Sequence, residues 1–301
     1  MPFHLFCIAA RALRRPGHWL LIIGTLMMGF LLSGCSTVRL TYNNAPALAY
    51  WWLDGYFDFA SDQATRVRAD LQSAHQWHRT QELPLIVQTM SELQARAVDS
   101  VPADAVCTIA TELQNRYEAT VRHMIPTMVA VAPMLGDAQI KHLERELAKR
   151  RADWQRDYTE GSAAERLDKR VKKAVERTEM FYGKLTPEQR ELVRGQVVES
   201  VFDNSLQSRE SQRRHQDALQ VLTQISNGSV AASGHRSALT ALVQRSLSSP
   251  DSDYRQYLAR LTQQGCANIA ALHNRMSPKQ RATLAENLKD YEQDLRAVMA
   301  P

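Results

Sequence analysis

The sequence predicts an all-α protein, a multi-helix bundle of antiparallel amphipathic helices. Three observations carry this. Residues 35–301 contain only 8 Gly and 9 Pro, a combined share well below the usual ~12%. Alternating runs of β-branched residues, the mark of half-buried strands, are missing. Apolar residues instead recur at intervals of three and four through most of the chain, so that each segment presents one stripe to a core.

The first element is a leader. Arg11, Arg14 and Arg15 are its only formal charges, an apolar run of 14 residues spans 19–32, and Leu32-Ser33-Gly34-Cys35 closes it. The run is short for a membrane-spanning helix, which needs about 20 residues, and no Ala-x-Ala-like cleavage site follows it. Small residues directly before a cysteine form a lipobox. Residues 1–34 are therefore expected to be a removed signal peptide and Cys35 the lipid attachment site. With three arginines and no acids in residues 1–34, the 37 basic and 32 acidic residues of the whole chain become 34 against 32, a net of +2. Most of the apparent basicity is thus targeting signal. Interspersed charges and the lack of an arginine–aromatic stripe give no case for nucleic acid.

Residues 35–44 are expected to form the lipidated N-terminus and a short polar tether, with a helical periplasmic domain over 45–301. Residues 45–59 concentrate Tyr50, Trp51, Trp52, Tyr56, Phe57 and Phe59, suited to a core and, beside a lipid, also to a membrane interface. Val67, Leu71 and Ala74 mark the next helix, which Pro84 interrupts or kinks. Val106, Ala110, Leu113, Tyr117 and Met124 form a further stripe. Ile140, Leu143, Leu147, Trp154 and Tyr158 follow up to a break at Gly161, and then Leu167, Val171, Ala174, Thr178 and Phe181. Val193, Val197 and Val201 continue the pattern. Residues 207–217 carry almost no apolar side chain and are expected to be a solvated helix or a projecting connection. Residues 226–234, with Ser226-Asn227-Gly228-Ser229, are the best linker and a possible sub-boundary. Leu284, Leu288, Tyr291 and Leu295 mark the last helix.

Cys7 lies in the leader and Cys35 is assigned to lipid, so Cys107 and Cys266 remain. In an oxidising compartment this pair is expected to form a disulfide. Such a bridge closes a loop of about 160 residues, worth roughly 5 kcal/mol in the chain-entropy model.

Three helix starts share one design: Leu185-Thr186-Pro187-Glu188-Gln189, Met276-Ser277-Pro278-Lys279-Gln280, and Leu135-Gly136-Asp137-Ala138-Gln139. Thr186 or Ser277 caps the helix, proline takes the first helical position, and the glutamine three residues after the cap returns a bond to it. The preceding Leu or Met acts as a hydrophobic staple. Phe59-Ala60-Ser61-Asp62-Gln63 is a looser fourth copy. The Leu-Thr-x-x-Gln pattern resembles that of the periplasmic chaperones Spy and CpxP, all-helical proteins that bind unfolding clients in a curved cradle. That resemblance implies a chaperone role with no cofactor. Over nearly the whole mature chain, Cys35-Ser36, Tyr50-Trp51-Trp52-Leu53-Asp54, Trp77-His78-Arg79 and Glu82-Leu83-Pro84 resemble a family of uncharacterised proteobacterial lipoproteins with no assigned activity. Ser36 after the cysteine, by similarity to enterobacterial lipoproteins, implies delivery to the outer membrane.

His75, His78 and Glu82 are candidate metal ligands on one helical face, with His142 and Glu146 a second pair. Some relatives of the Spy fold sense zinc, nickel or cobalt. Seven histidines in the mature chain make close pairs expected by chance, so no metal site is assigned. Asp54 and Asp58 are raw material for acid–base work on a saccharide, though a solvated helix face accounts for them equally. No Gly-x-Ser-x-Gly, His-Glu-x-x-His, phosphate-loop or dinucleotide pattern is present. The expectation is a non-enzymatic lipoprotein on the periplasmic face of the outer membrane that binds other envelope proteins or unfolded clients. A metal-binding or sensing protein, and a structural adaptor of an envelope complex, are the alternatives.

Overall fold

The computed structural model describes residues 36–299. The expected leader and lipid attachment at Cys35 lie outside the described residues. Within them the chain is all-α, a bundle of helices packed on one another with no strand. The α-helices are α1 (Ser36–Asn43), α2 (Ala45–Phe57), α3 (Ser61–Trp77), α4 (Leu83–Arg96), α5 (Ala103–His123), α6 (Ile125–Val131), α7 (Asp137–Thr159), α8 (Ala163–Tyr182), α9 (Pro187–Val198), α10 (Asn204–Ser226), α11 (His235–Leu247), α12 (Ser252–Asn274) and α13 (Pro278–Met299).

Three clusters form the core. Tyr50, Val67, Leu71, Val131 and Leu135 join α2, α3 and the approach to α7. Ala132, Val221, Ile225, Leu239 and Leu242 join α10 and α11 to the short 3-10 turn Ala132–Met134. Val175, Leu185, Val193, Leu272 and Met276 join α8, α9 and α12. Burying one such aliphatic side chain contributes about 1.5–3 kcal/mol. The first two clusters abut through the neighbours Val131 and Ala132, and Leu222 packs against both.

The break at Pro84 is resolved inside the helix. Residues His78–Glu82 widen into a π-helical turn between α3 and α4, and Leu83 N–H donates to His78 C=O, five residues back. The wider turn makes room for a proline at the second position of α4, whose ring and missing N–H an ordinary α-helical turn could not accept.

Three expectations are corrected. Residues 36–44 are not a tether: α1 is a helix docked on α13, held by Arg39, which donates to the buried Asp294 at 2.7 Å. A polar stretch can dock when its charges find buried partners. Residues 207–217 neither project nor stand in solvent but form the middle of α10, packed on α7 and the α11–α12 turn. Glu210, only 4% exposed, accepts from Arg213 and Arg214 at 2.8 Å and from Ser249 Oγ at 3.0 Å, while Arg245 donates to Asp217 at 2.7 and 2.9 Å. Burial alone would raise the Glu210 pKa, but these donors together lower it. The third correction concerns α5, in which no residue is fully buried and the stripe is split: Leu113 and Tyr117 are 41% and 59% exposed, while Val106 is half-buried and Met124, just beyond the helix, packs on the first cluster.

At 226–234 the chain makes a tight turn. Gly228 adopts φ +76°, the left-handed conformation that favours glycine, and Val230 N–H donates to Gln224 C=O at 3.0 Å. Val221 and Ile225 before the turn share one cluster with Leu239 and Leu242 after it.

Candidate functional site

The recurring helix starts meet in pairs. Gln189 and Gln280 face each other through two amide–amide bonds, both 2.8 Å. Each Oε1 also accepts its own cap N–H, from Thr186 at 3.0 Å and Ser277 at 2.9 Å. Each second amide hydrogen reaches the carbonyl two residues before the partner's cap: Gln189 donates to Arg275 C=O at 3.0 Å, Gln280 to Lys184 C=O at 3.1 Å. Gln63 and Gln139 repeat the arrangement. Gln139 donates to Gln63 Oε1 at 2.7 Å and to Asp58 C=O at 2.9 Å; Gln63 donates to Gln139 Oε1 at 3.1 Å and to Met134 C=O at 2.6 Å. The caps Ala60 and Gly136 lack a hydroxyl, yet their N–H groups still bond Gln63 and Gln139 at 2.9 and 3.0 Å. Each buried amide thereby spends its donors and acceptors, as burial in a low-dielectric interior requires.

Leu185 and Met276, the staple residues, are buried together with Val193. Leu135 is buried in the first cluster. Around the Gln189–Gln280 pair lies a cleft of about 630 Å³, edged by Lys184, Glu188, Arg275 and Lys279.

A more apolar groove of about 490 Å³ opens where α4, α5, α8, α12 and α13 converge. Val106, Ile109, Phe181, Ile269, Leu284 and Leu288 line it, and Arg96 and Arg177 stand at its edge, both exposed. Its size falls in the ~300–1,000 Å³ range of ligand sites. Phe181 and Ile269 are 37% and 55% exposed, and α5 carries the apolar surface onward through Leu113 and Tyr117.

One wall of the groove contains a hydrogen-bonded chain that sequence reasoning missed. His273 Nε2 lies 2.7 Å from Asp99 C=O, and Nδ1 lies 2.9 Å from the Tyr182 hydroxyl. A carbonyl can only accept, so Nε2 carries the proton and neutral Nδ1 accepts from Tyr182. Burial lowers the His273 pKa, with Arg281 adding to the effect against the opposing Asp99 bond. Burial also pushes Tyr182 up to about 12. Both groups are thus held neutral near pH 7. No local motif announces them, because 91 residues separate the two side chains.

Behind the groove, Cys107 on α5 and Cys266 on α12 form a disulfide with Cα atoms 5.4 Å apart and a sequence separation of 159. The expected pairing is present. Val101 N–H bonds Asn274 Oδ1 at 2.9 Å near the same end, so α5 and α12 run antiparallel.

The metal candidates have other partners. His78 Nδ1 lies 3.0 Å from the Tyr42 hydroxyl, and the His75 ring lies 4.7 Å from the same tyrosine ring. Glu82 is buried 3.5 Å from Arg116. One of its carboxylate oxygens and His75 Nε2 have no hydrogen-bond partner. Among the described residues no three His, Cys, Asp or Glu side chains gather as ligands. The π-helical turn between His75 and Glu82 shifts the register that ideal helical spacing assumes. His142 instead contacts Gly55 C=O at 3.3 Å. Asp54 accepts from Tyr50 OH and Phe59 N–H, both 3.1 Å, and Asp58 ends α2 with φ 47°.

A model of a protein family of unknown function matches residues 55–255, from the end of α2 into α12. This chain belongs to the DUF6279 family. The span contains Gln63, Gln139, Gln189 and Cys107 of this DUF6279 member, while Trp51, Trp52, Cys266 and Gln280 lie outside it. Neither the curated proteins nor the solved structures contain a match.

Proposed function

We propose that this DUF6279 protein is a lipoprotein anchored through Cys35 on the periplasmic face of the outer membrane, and that it binds unfolding or partly folded proteins. The supporting observation is α5, a 21-residue helix with no buried residue. Its Leu113 and Tyr117 extend the apolar groove beside Phe181 and Ile269 into a longer surface. Exposed apolar surface of this kind marks protein interaction sites. Arg96 and Arg177 at the edge would add contacts to acidic segments of a client. The Cys107–Cys266 bridge is in keeping with an oxidising compartment, and the lipobox supports the anchor. The glutamine-paired helix starts support likeness to Spy and CpxP in local chemistry. Their role in this reading is to fix the helices around the groove.

The test is aggregation of a chemically unfolded client with and without residues 36–301. Suppression at near-stoichiometric ratios is expected, with substantial loss in Leu113→Asp/Tyr117→Asp, whose two sites are exposed and leave folding intact. Equal suppression by the variant, or none by the parent chain, refutes client binding on this surface. One dominant crosslinked partner in place of many would favour the adaptor reading.

A further inference from the structure

The N-terminal helices carry an apolar stripe that the client-binding surface does not use. Residues 40–53 contain no charged side chain. Leu40, Leu48, Trp51 and Trp52 are 65%, 49%, 73% and 50% exposed. Gly55 continues the stripe on an exposed turn, with open space where a Cβ would be. The positions 48, 51, 52 and 55 fall on one side of α2. Asn44 joins the two helices: its N–H donates to Leu40 C=O at 3.1 Å at the end of α1, and its C=O accepts from Leu48 N–H at 3.0 Å at the start of α2. Asn44, with φ −95° and ψ 4°, separates the two helices, so Leu40 stands on α1 while Leu48, Trp51 and Trp52 stand together on α2.

The opposite side of α2 is committed to the protein. Pro46, Tyr50 and Tyr56 are buried, Arg68 lies over the Tyr50 ring at 3.7 Å, and Arg150 over Tyr56 at 4.5 Å. A helix this apolar is normally covered all round.

We infer that the α2 face of Leu48, Trp51 and Trp52, with Leu40 on the preceding α1, lies in the headgroup region of a phospholipid bilayer, with the α2 axis along the membrane plane. The occupant follows from where the chain enters the fold. The chain is already helical at Ser36, the first described residue, and Arg39–Asp294 fastens α1 to α13. A lipid on Cys35 would adjoin this docked helix, and Leu40 follows Ser36 within about 6 Å of helical rise. An interfacial helix sinks its apolar side ~5–10 Å into the boundary, and tryptophan favours that depth. With no charge on the stripe, burial of apolar surface drives the contact, so neutral lipid suffices and salt has little effect. Membrane contact on α2 holds the body at a fixed attitude. This inference rests on the proposed anchor at Cys35.

The test reconstitutes the lipidated full chain into neutral phosphatidylcholine vesicles whose acyl chains carry bromine near the headgroup. Wild-type tryptophan emission should fall about twofold, and the fall should be mostly absent in Trp51→Phe/Trp52→Phe, since the interfacial rings are the ones in reach. Quenching should persist at high salt. Equal quenching in both chains, or none in wild type, overturns the inference. A second copy of the chain as occupant would appear as a concentration-dependent dimer, lost in Trp51→Glu/Trp52→Glu, without quenching. Palmitate labelling reads the anchor separately. Labelling without quenching removes the interface and leaves the anchor; quenching of a Cys35→Ser chain added to the same vesicles, without labelling, does the reverse.

Discussion

At the scale of single residues, the most informative side chains are the four glutamines. Gln189 closes a cap, bonds its counterpart on a helix 91 residues away, and satisfies the C=O of Arg275. Truncating it leaves Thr186 N–H and Arg275 C=O without this partner and strips Gln280 of two bonds. Gln189→Ala and Gln280→Ala should each destabilise by about 1–3 kcal/mol, the cost of unsatisfied buried groups. The double variant should cost less than their sum, because the second truncation removes groups already orphaned by the first. Urea unfolding of the four-member cycle measures this, and strict additivity would mean the two amides act only as independent caps. The glutamine at each cap was legible in the sequence because capping is local. The pairing was not, since no local pattern states which starts will face each other.

At the scale of elements, α5 and α12 make the clearest case. α5 has no fully buried residue but packs along α12 through half-buried side chains such as Val106 and Ile109, and the disulfide fastens the same pair of helices. Replacing both Cys107 and Cys266 by serine should lower the unfolding free energy by about 2–5 kcal/mol, as for removal of a native bridge. Reduction of the wild type should move the urea midpoint in the same direction, and an unchanged midpoint would mean that α5 is held by other contacts. The apolar spacing of Val106, Ala110, Leu113, Tyr117 and Met124 predicts the helix, but not that Leu113 and Tyr117 stay exposed while Met124 packs on the first cluster. Periodicity identifies a stripe but not what covers it. The same limit applies to α10, where the charged residues 207–217 pack through Glu210 and Asp217 against arginines from their own helix and from Arg245 on α11.

At the scale of the molecule, burial acts in one direction on four histidines. The pKa values of His75, His78, His215 and His273 are all lowered, with desolvation the largest cause in each. A histidine depressed on folding binds its proton more readily unfolded. Its contribution to stability is therefore complete above the ordinary value of about 6.5 and is lost as pH falls from there through the folded pKa. The melting temperature should drop as the protein is taken from pH ~7.5 to ~5.5, and His273→Gln should flatten the slope by removing one of the four titrations. Calorimetry across that range decides it, and a flat wild-type profile would contradict the account. Glu210 acts separately, below the ordinary carboxylate range, because its pKa is also lowered.

The sequence by itself determined the all-α class, most helix starts and stops, and the two cysteines that pair, because periodicity and capping are local and Cys107 and Cys266 are the cysteines left when Cys7 and Cys35 are set aside for the proposed leader and lipid site. Tertiary structure alone decided the amide pairs, the docking of α1, the outward face of α5, the buried charges of α10 and the exposure of Trp51 and Trp52. These depend on which surfaces meet across long separations in the chain. That outcome is set by the sum of burial, pairing and desolvation over many residues, and no single segment contains it.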